Sequence, residues 1–522
     1  MNKTILGAVI VFFLIAAGAV GLKFLLPKFE ESRQKATSDA AKTKGKIKIA
    51  MDNWIGYFPL RSLEMAKMMR RSGYILECED DLADYDKRME RLKKGEIDFA
   101  VATVDSYLIN GALYHYPGTI IMVIDESKGG DAILANKKKI GSLDLLKGKK
   151  EIKVAFTPNS PSHHLLKAAA DHFDVPALLP AGKMRFETEG SQEARKMLLA
   201  GKVDIAACWE PDVSRALDNK NIIKLLGTED TERLIVDILV VNRAFALEND
   251  EVVKLLLNNY FRTLKKYRDN PDILLNQVKK ETGLSKDLVT SMLKGVKWTN
   301  LNENCANWLG ISVEGSYGDE GLVDTINATV NILVHAGDFS KSPIPDNDPY
   351  ILTNSSFIDS LFSKGITGFT VPKHGGVVPA TLNSIETKFA HLDTAKWDSL
   401  KEVGTLRVEP IVFQQGATDL DIIAKKVIDQ AVENLKHYPN FRVVIKGHTG
   451  TRGDKEENLH LSQERANAVQ RYMKVTYNVD TNRLHATGLG GTKPLARLPG
   501  ESNRSLSYRL SRVELVLVRQ DY

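Results

Sequence analysis

Cysteine is nearly missing from this chain: three residues in 522, Cys78, Cys208 and Cys305, set far apart. No CxxC pair or zinc-ligand spacing occurs, which excludes a disulfide scaffold and a structural zinc site. The three are expected as buried free thiols. Strong charge of one sign is missing too. A net charge of +5 is small for this length and gives no footing for nucleic acid as a partner. Catalytic signatures are lacking: no GxxxxGK[ST] loop and no nucleophile–base–orienter set stands out. No enzymatic role and no cofactor are expected. His163-His164 looks like a metal pair, but adjacent helical residues do not face one point, so no metal site is expected.

Long apolar runs are confined to one place. Residues 5–22 are almost unbroken apolar sequence, and Phe24-Leu25-Leu26 extends the run past Lys23. A membrane-spanning helix needs roughly 20 such residues. The run outlasts the short core of a cleaved signal peptide, so residues 4–26 are expected as an uncleaved transmembrane helix. Residues 27–45 are polar and are expected as a spacer. Only Lys3 precedes the span, while Lys23, Lys28, Arg33 and Lys35 follow it. By the positive-inside rule alone the long C-terminal part would face the cytoplasm. The identities of the soluble domains argue for the opposite orientation.

From Lys46 the pattern becomes α/β. Alternating Lys46-Ile47-Lys48-Ile49-Ala50 opens a strand, residues 60–72 and 85–94 suit helices, and 98–102 is a further strand. The rhythm restarts at Lys153-Val154-Ala155-Phe156, which implies two lobes with a cleft between them. Residues 250–336 read as mostly helical. Residues 341–405 carry Pro343, Pro345 and Pro349 and are expected as a linker. The last part, 406–522, is expected as a β-α-β-α-β-β sandwich, with strands at 408–413, 441–446, 483–487 and 512–518.

Several short motifs stand in a fixed order between residues 46 and 340. They are Trp54-Ile55-Gly56-Tyr57-Phe58-Pro59, Gly95-Glu96-Ile97-Asp98, Asp125-Glu126-Ser127-Lys128-Gly129-Gly130-Asp131, Asn159-Ser160-Pro161-Ser162-His163-His164, Gly201-Lys202-Val203-Asp204 and Cys208-Trp209-Glu210-Pro211. Together they resemble the nitrate/sulfonate/taurine and thiamine-precursor family of ABC-transporter solute-binding proteins. The resemblance implies a two-lobed periplasmic-binding-protein fold of the type II kind, a small-molecule solute and an ABC permease as partner. Trp54 and Tyr57 follow a strand end and are expected as a cleft wall. Ser160 and Ser162 stand at a helix N-terminus, which favours an anion. Ser127, Gly129 and Gly130 let the backbone approach a ligand, and Trp209 and Glu210 offer a wall and a charge from the second lobe. The expected solute is small, organic, and polar or anionic.

The C-terminal motifs are Gly447-His448-Thr449, Asn458, Leu461-Ser462-Gln463-Glu464-Arg465-Ala466 and Arg512-Val513-Glu514. They resemble the OmpA-like domain shared by OmpA, MotB and peptidoglycan-associated lipoprotein. The resemblance implies that Thr449, Asn458 and Arg465 hold peptidoglycan, with the arginine fork on a stem-peptide carboxylate. The family's aspartate after Gly-His-Thr is Gly450 here, and Asp454 lies four residues on. The expectation is a single-pass inner-membrane protein whose soluble part lies in the periplasm, binds a solute and docks on peptidoglycan. Two alternatives stay open: a membrane-to-wall tether with a degenerate binding domain, and a biosynthetic enzyme on the thiamine-precursor scaffold.

Overall fold

The computed structural model describes residues 43–312, 318–363, 389–409, 411, 413 and 416–520. The anchor expected at 4–26, and all but the last three residues of the spacer, lie outside them. Among the described residues no helix is long and apolar enough to cross a membrane.

The first lobe opens with β1 (Gly45–Met51), β2 (Tyr74–Asp80), β3 (Phe99–Thr103) and β4 (Gly118–Ser127). The chain then crosses to the second lobe. That lobe contains β5 (Asp131–Asn136), β6 (Val154–Phe156), β7 (Arg185–Glu187), β8 (Ile205–Trp209) and β9 (Ile222–Gly227). It returns to the first lobe with β10 (Val236–Asn242) and β11 (Val296–Trp298). The sheets run β11-β4-β10-β3-β1-β2 and β7-β6-β8-β5-β9. Each is mixed: β1 is parallel to β2 and β3, while β10 is antiparallel to β3 and β4. In the second lobe β6 is parallel to β7 and β8, and β5 is antiparallel to β8 and β9.

The local chemistry explains these elements. Along β10, Val236, Ile238 and Val240 face one apolar layer while Leu239 and Val241 face the other. An apolar residue at both phases of the two-residue repeat marks a strand covered on both sides. One cover is the helix Asp250–Asp269, and the other includes Val104–Leu113 and Gly321–His335. The helix Tyr85–Lys94 starts where Asp84 accepts a hydrogen bond from the Lys87 amide, and stops at Gly95 with φ +68°. Cys208 and Cys305 are buried, Cys78 is half-buried, and all three are free.

The described parts of the stretch 341–405, expected as a linker, are residues 341–363 and 389–405, and they are built into the two folded units. Thr353 bridges to Ile120 of β4, and the helix Ser356–Ser363 buries Phe357, Ile358 and Leu361 in the first lobe. At its far end β12 (Lys401–Thr405) is the edge strand of the C-terminal sheet. The strand expected at 408–413 is therefore replaced by one several residues earlier, and no described residue of 408–413 is in a strand. The rest of the unit follows the expected order with one addition. It has the helix Ile422–Lys436, β13 (Arg442–Gly447), the helix Lys455–Tyr477, β14 (Leu484–Gly488), an unforeseen helix Asn503–Leu510, and β15 (Val513–Arg519). The sheet order is β12-β15-β13-β14.

The C-terminal unit packs on the second lobe, and both contribute to one continuous apolar cluster. Phe173 meets Tyr438 edge to face at 5.2 Å. Polar contacts ring this contact: Arg519 pairs with Asp230 at 2.9 Å, Asn440 Nδ2 donates to the Glu229 carbonyl, and the Glu232 amide donates to the His437 carbonyl. Gly404 of β12 lies so close to Phe173 that a Cβ would stand 2.7 Å from its ring.

Candidate functional site

The lobes are joined by two crossovers, from β4 to β5 and from β9 to β10, and six of the expected solute residues, Trp54, Ser127, Gly129, Gly130, Trp209 and Glu210, lie beside the first. Ser127 donates from Oγ to Asp131 Oδ2 at 2.7 Å and shares a 2.8 Å hydrogen bond with Thr228 Oγ1. The Gly129 amide also donates to Thr228 Oγ1, at 2.9 Å. Ser127 and Gly129 thus tie one crossover to the other. Gly130 serves a close approach: a Cβ there would lie 2.2 Å from Cη2 of Trp54.

Trp54 is held at both ends. Its amide donates to Asp52 Oδ1 at 3.0 Å, and its indole Nε1 to Asp125 Oδ1 at 3.3 Å. Tyr57 is 1% exposed, and its hydroxyl donates to Asp237 Oδ1, so it belongs to a carboxylate nest rather than to an open stacking wall. From the second lobe, Trp209 is half-buried and packs against the first-lobe cluster that contains Trp54. Glu210 is engaged in capping: its two oxygens accept from the Ser214 amide at 3.0 Å and hydroxyl at 2.6 Å. Ser160 caps the helix Pro161–His172 and donates to the Thr157 carbonyl at 2.6 Å. Ser162 is different. Its Oγ is fully buried and has no hydrogen-bond partner among the described residues, and the same holds for both ring nitrogens of His164.

Three groups that no expectation assigned to the cleft shape its electrostatics. Asp125, Asp131 and Asp237 are all at most 3% exposed. Burial pushes Asp125 and Asp131 up to about 7, with neighbouring carboxylates adding to the rise. Asp237, paired across the strands with Asp125, is raised by burial and then by the Asp125 charge. Asp105, also missed, starts the helix Val104–Leu113 and leaves its buried Oδ2 without a partner among the described residues. A signal was present for Asp237: it is the one carboxylate in the run Ile235-Val236-Asp237-Ile238-Leu239-Val240-Val241, which is otherwise apolar.

In the C-terminal unit Arg465 is 3% exposed. Its Nη1 donates to Ser511 Oγ at 2.7 Å and its Nε to the Ala417 carbonyl at 3.1 Å, and the guanidinium lies 5.0 Å above the Phe413 ring. Ser511, just before β15, thus receives the arginine. Thr449 hooks its amide on the Gly490 carbonyl at 2.9 Å, and the Gly490 amide donates to Ser462 Oγ at 2.9 Å, one turn before Arg465. The loop and the helix are thereby locked in register. Asn458 Nδ2 donates to the Arg452 carbonyl at 2.9 Å. Asp454 accepts from the Glu456 and Glu457 amides as a helix cap, so its position is set by the helix start. Gly450 has no left-handed φ, and a Cβ there would meet nothing within 4 Å.

Two mixed α/β lobes joined by paired crossovers make the N-terminal unit a periplasmic-binding-protein-like fold, and the C-terminal unit is an OmpA domain: residues 412–506 match the OmpA family. Over 100 residues the chain is 31% identical to outer membrane protein Omp38 of Acinetobacter baumannii, covering 19% of this chain and 28% of that protein. Over 99 residues it is 36% identical to peptidoglycan-associated lipoprotein of Pseudomonas putida, covering 19% and 58%. The chain thus spans less than two thirds of the length of either relative. Among solved structures it is similar to the periplasmic aliphatic sulphonate binding protein SsuA from Escherichia coli, with 18% identity, 57% of this chain and 89% of that chain covered, and a TM-score of 0.44. It is also similar to the alkanesulfonate-binding protein SsuA from Xanthomonas axonopodis pv. citri bound to MOPS (16%, 56% and 93%, TM-score 0.43) and to the desulfurization enzyme DSZB (10%, 62% and 100%, TM-score 0.42).

Proposed function

We propose that this protein is an envelope solute receptor: it captures a small polar organic solute between its two lobes and docks on peptidoglycan through its OmpA domain. The observation that carries the solute half is the set of buried polar groups lacking partners among the described residues, Asp105 Oδ2, Ser162 Oγ and the His164 ring, gathered from both lobes. Polar atoms buried without partners are costly unless something else satisfies them. The wall half is supported by the OmpA match and by Arg465, whose guanidinium is held in place by Ser511 and the Ala417 carbonyl. In this reading residues 4–26 anchor the chain in the inner membrane, the soluble part lies in the periplasm, and an ABC permease receives the solute. The protein acts as a binder rather than an enzyme.

The test is a pair of measurements on the full chain. A solute screen by thermal shift reads the lobes, since a ligand of the folded state raises stability by mass action. Co-sedimentation with peptidoglycan sacculi reads the OmpA domain. Sedimentation without any ligand-induced shift would leave the tether with a degenerate cleft as the better reading.

A further inference from the structure

The expectation of a polar or anionic solute drew on the helix N-terminus at Ser160 and Ser162. The groups that surround that helix start give the cleft a different character. Four carboxylates lie in the interlobe region: Asp105, Asp125 and Asp237 from the first lobe and Asp131 from the second. Strand register gathers them: Asp237 pairs with Asp125 on one side and with Thr103 on the other, Thr103 caps the helix whose first turn carries Asp105, and Trp54 spans from Asp125 to Gly130, next to Asp131. Among the described residues no Lys or Arg forms an ion pair with any of the four. The cations nearby are engaged elsewhere: Arg88 with Asp52 and Asp81, Lys128 with Glu126, and Lys167 with Asp338 at 2.7 Å.

A second, independent feature points to an occupant. The helices Val104–Leu113 and Pro161–His172 face each other across the lobes, and the charge of Asp105 reaches His164. Ser162 and His164 are at most 1% exposed, and neither side chain has a partner among the described residues. Burial holds the His164 ring in its neutral form, so it offers one donor and one acceptor. Ionising the raised carboxyls of Asp125 and Asp131 sets like charges against one another in a poorly solvated site, and an anion would add to that repulsion. A positive group would relieve that repulsion. Among the described residues no three of the His, Cys, Asp and Glu side chains are grouped to hold a metal ion, so the positive group belongs to an organic molecule. Trp54, braced between Asp125 and Gly130, supplies an aromatic surface beside it.

Resting on the receptor reading above, we propose that the solute is an organic cation, a small molecule with an ammonium or amidinium group beside a hydrogen-bonding group. Its positive end lies among Asp105, Asp125 and Asp131, and its polar end on Ser162 and His164.

The experiment is a thermal-shift titration of the full chain in detergent at neutral pH. The probes are 1,4-diaminobutane and agmatine against alkanesulfonates of matched length, with sodium chloride at equal ionic strength as the blank. The cations are expected to raise Tm saturably and the sulfonates to leave it at the blank value. Loss of one charged contact in Asp105→Asn is expected to weaken the cations at least about tenfold. Ser162→Ala, which removes only a hydroxyl, is expected to weaken agmatine while keeping the preference for cations. Stabilisation by the sulfonates and not by the cations would overturn the charge assignment and leave the receptor reading standing. An Asp105→Asn protein that binds the cations as well as wild type would overturn the placement. No shift with either class would remove the receptor reading itself, and this proposal with it.

Discussion

The hydroxyl of Tyr438 lies 2.7 Å from Nδ1 of His172, and this contact joins the OmpA domain to the second lobe at the centre of their shared core. Tyr438 is fully buried, stacks on Phe441 and meets Phe173 edge to face. Removing its ring would open a cavity shared by both units. Tyr438→Ala is expected to cost roughly 3–5 kcal/mol and Tyr438→Phe about 1 kcal/mol. In urea, the second lobe and the OmpA domain are expected to unfold in one transition in wild type. Two separated transitions in wild type would show that the contact contributes little.

The close approach of Trp54 to Gly130 makes a second prediction. In Gly130→Ala the new methyl overlaps the indole edge, so the ring must leave its place. Overpacking of this kind costs typically 1–3 kcal/mol. A red-shifted tryptophan emission and a weaker response to any solute that stabilises wild type are expected. Unchanged emission would mean that Trp54 yields without exposure and that the cleft tolerates the methyl.

Acidity offers a third handle. Asp125 titrates near 7 in the folded protein, well above its ordinary value of 3.8. The folded state therefore binds this proton more tightly than the unfolded state does. The resulting stabilisation is full below about pH 4 and is lost as pH rises through 7. Asp125→Asn carries no such proton. The Tm of wild type is expected to fall relative to that of Asp125→Asn between pH 4 and pH 7, measured in one buffer series. Parallel curves would mean that Asp125 is ionised in the fold.

The strands of the first lobe were readable because each is an apolar run with a fixed repeat, as in Phe99-Ala100-Val101-Ala102. The edge strand β12 was not. Lys401 and Glu402 are exposed and Gly404 is small because Phe173 lies against it, so Lys401–Thr405 carries no apolar alternation. Its place in the sheet is set by pairing with β15, more than a hundred residues away. The cleft divides in the same way. Trp54, Gly130 and Ser162 stand in short motifs that the sequence alone brings to notice. The charge of the cleft depends on Asp105, Asp125, Asp131 and Asp237, which only the lobe topology brings together. The helix N-terminus by itself favours an anion or a polar group, and the cation proposed above rests on the carboxylates that the topology adds. In the OmpA domain the motif carries Arg465, but Ser511, which receives it, has no meaning until the fold places it at 2.7 Å.

The last prediction concerns the wall contact, where this chain departs from its family at Gly450. The resemblance to the OmpA-like domain implies an aspartate here that pairs with an ammonium group on the stem peptide, and glycine cannot do so. Asp454 is committed to capping the helix Lys455–Tyr477. The backbone at Gly450 is outside the left-handed region and its Cβ direction is open, so Gly450→Asp is accommodated without strain. One added charged hydrogen bond contributes about 1.5–3 kcal/mol, or roughly a 10- to 150-fold tighter association. The full chain carrying Gly450→Asp is expected to sediment with sacculi at correspondingly lower concentration. Arg465 is the group on which that gain depends. Because it also holds Ala417 and Ser511, Arg465→Ala needs a control, and Arg465→Lys provides it: the charge stays and the planar fork goes. Both variants are expected to lose wall binding with circular dichroism unchanged, Arg465→Ala more completely. Equal sedimentation of wild type, Arg465→Lys and Arg465→Ala would show that the domain does not hold the wall through this arginine. The OmpA unit would then serve as a protein contact, with its apolar attachment to the second lobe as its main role.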